Sequence, residues 1–204
     1  RVTQKLLNKY EIRKPTMSYH SHSKLSKTNK IIKLLEEGKN LALVSDAGTP
    51  TISDPGAVLI SKIREYKNKK KLSKTVFDNL KEGFEIEIIP IPGASAFVVA
   101  LSACGLPTHE FIFLGFLPHK KGRETLFKEI ALSKRTIVFY ESPHRILKTL
   151  ESLQKYVPNR KVCIARELTK IYEEFKIGSP VELLKYFNEN KEKQKGEFVV
   201  LISP

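Results

Sequence analysis

The chain has 204 residues, of which 41% are hydrophobic, and its 36 basic against 22 acidic side chains give a net charge of +14. This length suits one large domain or two of about 100 residues; no stretch approaches the roughly 18 apolar residues of a membrane span, and the first residues lack a signal-peptide core. We therefore expect an intracellular protein. Its only cysteines, Cys104 and Cys163, lack paired spacing, which argues against a disulfide framework and a cysteine metal site.

The first third of the chain predicts helices on either side of one strand. An amphipathic pattern predicts a helix between Ser26 and Gly38. The segment 41–56, LALVSDAGTPTISDPG, begins as an apolar run typical of a buried strand and continues as a long loop of small residues. A helix is predicted over 57–66, and the basic run 67–81 is expected to be a surface excursion.

A second strand and glycine loop are predicted at 85–96, where an apolar run leads into PIPGASA. Ligands of open α/β sheets collect outside the carboxyl ends of strands, where small residues let a ligand approach the backbone. A single strand-to-helix turn that contains Gly and Pro usually has only a structural role, but two of them favour a ligand site. Their spacing matches neither the dinucleotide pattern nor the phosphate-loop pattern. The helix predicted over 95–104 is strongly apolar, so we expect most of its surface to be buried.

A Gly-Pro break at 105–107 predicts a boundary between a domain over 1–107 and a domain over 108–204. The second half alternates strands and helices, which predicts an α/β fold with a mixed sheet. The predicted strands are 111–116, 136–140, 162–166, 169–175 and 198–202, and the predicted helices are 123–132, 144–156 and 181–188.

Acidic and basic side chains cluster where two predicted strands end, in YESPHR (140–145) and in RELTK (166–170). A functional site is one interpretation. In the other, Ser142 caps a helix with Pro143 at its first position, and the charged pairs around Glu167 are surface ion pairs of little energetic value. Both interpretations stay open on these residues alone.

The basic excess favours a polyanionic partner, of which nucleic acid is the first to consider. Basic residues concentrate in the stretch 62–74 and in the loop 119–123. The alternative is a lysine-rich surface whose charge only solvates the protein.

Six blocks together resemble the small-subunit ribosomal RNA methyltransferase I family. They are SDAGTPTISDPG (45–56), PGASA (92–96), FLGFLPHKKGR (113–123), FYESPHR (139–145), ARELTKIYEEF (165–175) and GEFVVLI (196–202). The resemblance implies two α/β domains of the tetrapyrrole methylase type with S-adenosyl-L-methionine between them. It also implies 2′-O-methylation of a cytidine in the decoding region of 16S rRNA, acting on 16S rRNA or the small ribosomal subunit, and a homodimer. No metal is implied.

The resemblance also suggests residue roles. The expected cofactor-binding residues are Ala47, Gly48, Thr49, Ile52, Pro92, Gly93, Ser95, Ala96, Glu141 and Leu168. Asp46, Glu167 and Lys170 are the candidate catalytic residues, and none is a secure general base. The expected RNA-binding residues are Lys120, Lys121, Arg123, His144 and Arg145, with Asp54 a further polar group facing the RNA.

This sequence departs from the family pattern in two places. It begins after the family's first strand, which predicts an exposed sheet edge in the first domain. The excursion over 67–83 is longer than the family's short turn. Two other functions stay open: a methyltransferase for a small tetrapyrrole, and a truncated RNA-binding relic without activity.

Overall fold

A computed structural model describes residues 2–20, 25–72 and 86–204. The chain divides into two compact units, Arg1–Gly93 and Ala94–Pro204. This division precedes the helix Ala96–Ala103, because that helix packs on the sheet of the second unit. The boundary predicted after residue 107 follows the same helix, and the assignment of two domains stays a prediction. Within the described ranges, no helix is both long and apolar enough to cross a membrane.

Helices are the regular secondary structure that the described residues of the first unit form, and irregular segments join them. Its helices are α1 (Val2–Lys9), α2 (Leu25–Glu36) and α3 (Ala57–Leu72). Ile31 of α2 packs with Leu59 and Ile63 of α3 in a small core. The helix predicted between Ser26 and Gly38 is thereby confirmed. Part of the excursion 67–81 lies outside the described residues.

The two strands predicted in the first unit do not form. Residues 41–44 and 86–89 have no assigned secondary structure, and Leu41 and Val44 are 46% and 53% exposed. A strand exists only when a neighbouring strand accepts and donates its backbone hydrogen bonds. Among the described residues neither segment has such a neighbour, so an apolar run alone was not sufficient to predict a strand.

The second unit contains one mixed sheet. Its strands are β1 (Phe111–Phe116), β2 (Thr136–Glu141), β3 (Val162–Arg166), β4 (Glu174–Gly178) and β5 (Phe198–Ile202). The strand order is β1-β2-β5-β3-β4. β1 pairs in parallel with β2, whereas β5 runs antiparallel to both β2 and β3. The last strand in sequence therefore lies in the centre of the sheet.

Helices cover the two faces of this sheet unequally. They are α4 (Ala96–Ala103), α5 (Arg123–Leu132), α6 (Ile146–Tyr156) and α7 (Pro180–Glu189). One face, which includes Ile137 and Phe139 of β2, packs against α5, α6 and α7. The opposite face, which includes Val138 and Tyr140, packs against the short helix α4.

Three local predictions in this unit need correction. The strand expected over 169–175 begins only at Glu174, because residues 167–173 form a loop. Helix α4 is buried on one side only, and its Val98 is 51% exposed. Helix α6 begins at Ile146, so Ser142 does not cap it and Pro143 is not its first residue.

Candidate functional site

The three parallel strands β1, β2 and β3 bring their carboxyl ends to the same end of the sheet. The loops 117–122, 142–145 and 167–173 leave from there, and the antiparallel β5 enters the sheet at this end after Glu197. Three motif blocks that are distant in sequence therefore lie along the same end of the sheet. The carboxyl end of such a sheet is where α/β proteins bind ligands.

Glu141, the last residue of β2, is buried with its carboxylate fully inaccessible. Strand alternation places it on the face of Ile137 and Phe139, under α5 and α6. One carboxylate oxygen accepts hydrogen bonds from the Ser142 amide at 2.8 Å and pairs with Arg145 Nη2 at 2.7 Å. The other accepts the Thr149 hydroxyl at 2.6 Å. The buried charge is thus surrounded by donors, as a buried carboxylate requires.

Two arginines connect this carboxylate to the loop after β1. Arg145 donates from Nη1 to the Leu117 carbonyl at 2.9 Å. Arg123 donates from Nη1 to the Pro118 carbonyl at 3.2 Å and from Nη2 to the Thr149 hydroxyl at 2.7 Å. Burial lowers the pKa of Arg123, an effect that Glu141 opposes. Both guanidinium groups are therefore occupied inside the protein.

The predicted RNA-binding residues differ in how far their side chains are exposed to solvent. Lys120, Lys121 and His144 are exposed on the loops at the carboxyl end of the sheet. The side chain of Arg123 is only 10% exposed and that of Arg145 only 15%. Direct contact with RNA remains a prediction for all five, and the structure favours it for the exposed three.

Glu167 and Lys170, two of the candidate catalytic residues, are in contact. Lys170 Nζ lies 2.9 Å from Glu167 Oε1 and 3.0 Å from Glu197 Oε2. Glu167 Oε1 also accepts the Glu197 amide at 2.8 Å. Glu197 was not among the predicted site residues, although it belongs to the GEFVVLI block and directly precedes β5.

The loop that carries this pair has an unusual backbone. Glu167 and Thr169 have φ angles of 50° and 65°, in the left-handed region that side chains other than glycine rarely adopt. Gly196 has a φ of 107°, and a Cβ there would lie 2.6 Å from Glu167 Cγ. Backbone strain of this kind, about 1–3 kcal/mol per residue, persists where the surroundings enforce it and is common at functional sites.

Acid should selectively remove the contribution of Glu167 to stability. Hydrogen bonds from Lys170 and from the Glu197 amide hold the pKa of Glu167 below its usual value. Such a group stabilises the fold above its unfolded-state pKa of about 4.3, and loses this contribution as the pH falls through the lower folded-state pKa. We expect wild type to unfold at a higher temperature than Glu167→Gln at neutral pH, and the difference to shrink below about pH 4. Thermal unfolding at several pH values measures this.

The matched control for that titration is Glu151→Gln, which removes an exposed carboxylate from α6. A difference between wild type and Glu167→Gln that stays constant down to strongly acid pH would show that the Glu167 carboxylate is not held by these hydrogen bonds.

The predicted cofactor residues of the second unit do not all lie together. Ala96 and Leu168 pack on the α4 face of the sheet, whereas the Glu141 carboxylate is buried beneath the opposite face. The buried Glu141 carboxylate thus does not lie on the face of Ala96 and Leu168, and cofactor binding by Glu141 stays a prediction. Ser95, which directly precedes α4, is half-buried and makes no side-chain cap.

Aromatic rings line the α4 face beside Ala96. The Phe97 and Phe113 rings stack with centroids 4.3 Å apart, and Tyr140 contacts both Phe113 and Phe116 at 5.1 and 5.4 Å. Phe116 is 55% exposed. This aromatic surface was not predicted from the sequence. Strand alternation places Phe113 on the α4 face, and Phe97 of α4 packs on the same face.

The glycine loop 45–56 of the first unit is an irregular turn built from small residues. The Ser45 hydroxyl donates to the Ala47 carbonyl at 3.0 Å, and Gly48, Thr51 and Ser53 have positive φ angles. Asp46, Ala47, Gly48 and Ile52 are exposed, and Thr49 is half-buried. Burial, and then the charge of Asp46, raise the pKa of Asp54. Pro92 and Gly93 are exposed in the second predicted loop.

A cavity of about 310 Å³ adjoins the start of the glycine loop. It is lined by α1 residues, including Leu6, and by Val44, Ser45 and Asp46. Its lining includes one predicted catalytic residue but none of the predicted cofactor-binding residues.

Comparison with known proteins matches residues 71–183 to the family of tetrapyrrole (corrin/porphyrin) methylases. The chain is 42% identical to the Ribosomal RNA small subunit methyltransferase I of Synechocystis, over its whole length and 66% of that protein. It is 41% identical to the protein of the same name from Thermotoga maritima, over its whole length and 82% of that protein.

A solved structure has the same fold. Uroporphyrin-III C-methyltransferase from Thermus thermophilus, complexed with S-adenosylhomocysteine, superposes with a TM-score of 0.52 at 12% identity, over 87% of this chain and 72% of that one. The chain spans about two thirds of the length of the Synechocystis relative. The chain therefore belongs to the tetrapyrrole methylase family and, within it, to the group of ribosomal RNA small subunit methyltransferase I proteins.

Proposed function

We propose that this chain is an S-adenosyl-L-methionine-dependent methyltransferase that methylates the 2′-hydroxyl of a cytidine in the decoding region of 16S rRNA. The observation that carries the proposal is the position of three motif loops, 117–122, 142–145 and 167–173, at the carboxyl end of one sheet. The names of the relatives support an rRNA substrate. We further propose a cytoplasmic homodimer that acts on 16S rRNA or the small ribosomal subunit.

The residues present fit a sulfonium donor that carries an adenine ring. In the loop 45–56, a Cβ on Gly48 would meet no atom within 4 Å, so the backbone there is open to a ligand. The apolar surface of Phe113 and Tyr140 beside Ala96 and Leu168 suits a planar aromatic ring. We propose that Ala47, Gly48, Thr49 and Ile52, together with Pro92, Gly93, Ser95, Ala96 and Leu168, bind the donor. When bound, it supplies a methyl group on a positively charged sulfur.

The ribose 2′-hydroxyl is a weak nucleophile, so the site must hold it in line and stabilise the charge that develops on its oxygen. Lys170 is suited to that second task. Burial opposes its charge, but hydrogen bonds to Glu167 and Glu197 outweigh this effect and raise the pKa of Lys170. It is therefore an ammonium at neutral pH and cannot accept a proton.

Glu167 is also poorly suited to act as general base. Its pKa is lowered by the hydrogen bond from Lys170, and a carboxylate with a lowered pKa is a weaker base than usual. We propose that Glu167 holds Lys170 in place and that the ammonium stabilises the negative charge developing on the ribose oxygen. As that oxygen bonds to the methyl carbon, the bond from sulfur to the methyl group breaks, leaving a neutral thioether, and the hydroxyl proton passes to solvent water.

Removing the two exposed lysines of the basic loop should weaken RNA binding and reduce its dependence on salt. The slope of log K against log salt changes by about 0.9 per phosphate contact, which corresponds to about fivefold in affinity per lysine at about 0.15 M salt. For Lys120→Ala/Lys121→Ala we expect about 25-fold weaker binding to a 16S rRNA fragment and unchanged affinity for the methyl donor. Filter binding over a salt series, with calorimetry for the donor, measures both.

Lys134→Ala is the control, because Lys134 is exposed next to the start of β2, at the opposite end of the sheet. A wild-type salt response that is flat, or equal losses in the control and the double variant, would contradict RNA binding by this loop.

The family of the matching model also includes corrin and porphyrin methylases, which favours a small tetrapyrrole as the second candidate substrate. A methylation assay with labelled donor separates the two. Label in small ribosomal subunits supports the proposal, and label only in uroporphyrin-III supports the alternative. A chain that binds rRNA without transferring label is the truncated relic.

A further inference from the structure

Arg123 belongs to the basic cluster HKKGR, yet the structure separates it from its neighbours. Lys120 and Lys121 are exposed, whereas Arg123 is buried at the start of α5. Its guanidinium lies 5.1 Å from the Phe127 ring centre and donates to two protein acceptors. A phosphate on the surface would have to compete with these partners.

Arg123 and Arg145 both donate hydrogen bonds to the backbone of the loop 117–122. Arg123 binds the carbonyl of Pro118, and Arg145 binds the carbonyl of Leu117. These are consecutive residues at the start of the loop that carries Lys120 and Lys121. Both guanidinium groups also face Glu141, at 3.8 Å from Arg123 and 2.7 Å from Arg145.

Thr149 completes the assembly from α6. Its hydroxyl accepts from Arg123 at 2.7 Å and donates to Glu141 at 2.6 Å, so it fixes the side of the carboxylate that Arg123 approaches. Within the described residues, no buried side-chain nitrogen or oxygen lacks a hydrogen-bond partner. A fully satisfied buried polar network rigidifies its surroundings and admits one arrangement.

We propose that Arg123, Arg145, Glu141 and Thr149 form a positioning clamp that holds the loop 117–122 in place and thereby presents Lys120 and Lys121 to the phosphates of the RNA. This inference rests on the proposed function, because it assigns the loop to RNA binding. Arg123 and Arg145 are then positioning residues that act through the loop backbone.

The substitution Arg123→Lys separates positioning from direct contact. Lysine keeps the positive charge, so a direct phosphate contact would largely survive. An ammonium cannot reproduce the planar fork that reaches Pro118 and Thr149 together. We expect the backbone order parameters of Lys120 and Lys121 from nitrogen-15 relaxation to fall from about 0.85 to below about 0.6. With the lysines no longer held in place, affinity for the 16S rRNA fragment should fall about fivefold or more.

Arg135→Lys is the matched control, since Arg135 is exposed and pairs with Glu110 near the start of β2; it should change neither measurement. Lys120→Ala should weaken RNA binding without changing the order parameter of Lys121. If Arg123→Lys fails to fold, Thr149→Val removes the bridging hydroxyl at nearly the same volume and should mobilise the loop in the same way.

Unchanged order parameters in a folded Arg123→Lys or Thr149→Val variant would overturn the clamp. A mobilised loop with unchanged RNA affinity would overturn its link to RNA. Wild-type protein that does not bind rRNA would instead overturn the proposed function, and the relaxation measurements would still decide whether the clamp exists.

Discussion

Replacing Glu141 by leucine is expected to lower the free energy of unfolding by about 3–5 kcal/mol, which is the usual loss when one member of a buried ion pair is removed. The carboxylate is inaccessible to solvent and accepts from Ser142, Thr149 and Arg145. Leucine would leave the buried Arg123 and the partly buried Arg145 guanidinium groups without this counter-charge. Denaturant unfolding monitored by circular dichroism measures the loss.

A triple variant tests whether uncompensated charge is the cause. Glu141→Leu combined with Arg123→Met and Arg145→Met removes the whole charged group, and replacing buried ion networks by apolar side chains is often neutral or stabilising. We expect the triple variant to recover most of the lost stability. A Glu141→Leu protein within about 0.5 kcal/mol of wild type would show that the pairing is energetically unimportant.

The second large effect is expected at Gly48. Its φ of +65° strains any side chain, but a Cβ would meet no protein atom within 4 Å. Gly48→Val should therefore cost the fold only about 1–2 kcal/mol, while its branched side chain projects from a backbone that we propose contacts the methyl donor. We expect affinity for S-adenosylmethionine to fall at least about 100-fold, equivalent to roughly 2.7 kcal/mol. Isothermal titration calorimetry measures it.

Gly105→Val is a matched control for that experiment. Gly105 has the same φ of +65° and the same open surroundings, and it belongs to none of the predicted sites. Both variants should lose similar stability, whereas only Gly48→Val should lose donor binding. If both bind the donor as wild type does, the loop 45–56 does not form the donor site.

The sequence predicted the sheet of the second unit well. The predicted bounds of β1, β3 and β5 agree with the structure, because each strand contains at least four consecutive apolar residues flanked by polar or turn-forming residues. The segment 169–175 misled because its β-branched and aromatic residues favour a strand, whereas residues 169–173 form a loop in which Ile171 is 95% exposed. The two strands predicted in the first unit were wrong for a different reason. A strand needs a neighbouring strand to pair with, and an apolar run does not specify that neighbour.

The site could be predicted in part. The position of three motif loops at one end of the sheet follows from parallel strands. The burial of the Glu141 side chain follows from strand alternation, which places it on the same face as Ile137 and Phe139. The burial of Arg123 could not be predicted from its own position, because it depends on Thr149, which is distant in sequence and had no functional signature. A run of basic residues therefore identified a loop correctly but did not show which of its members faces solvent.

The position of β5 has a consequence for how this unit folds. β5 hydrogen-bonds to both β2 and β3, yet it follows every other strand in sequence. Until β5 pairs, the hydrogen-bonding edges of β2 and β3 that will flank it have no partner strand. Contacts between residues so far apart along the chain slow folding, and the unpaired borders of β2 and β3 can meanwhile pair with other chains. During synthesis this unit should thus be most prone to aggregate before its central strand has left the ribosome.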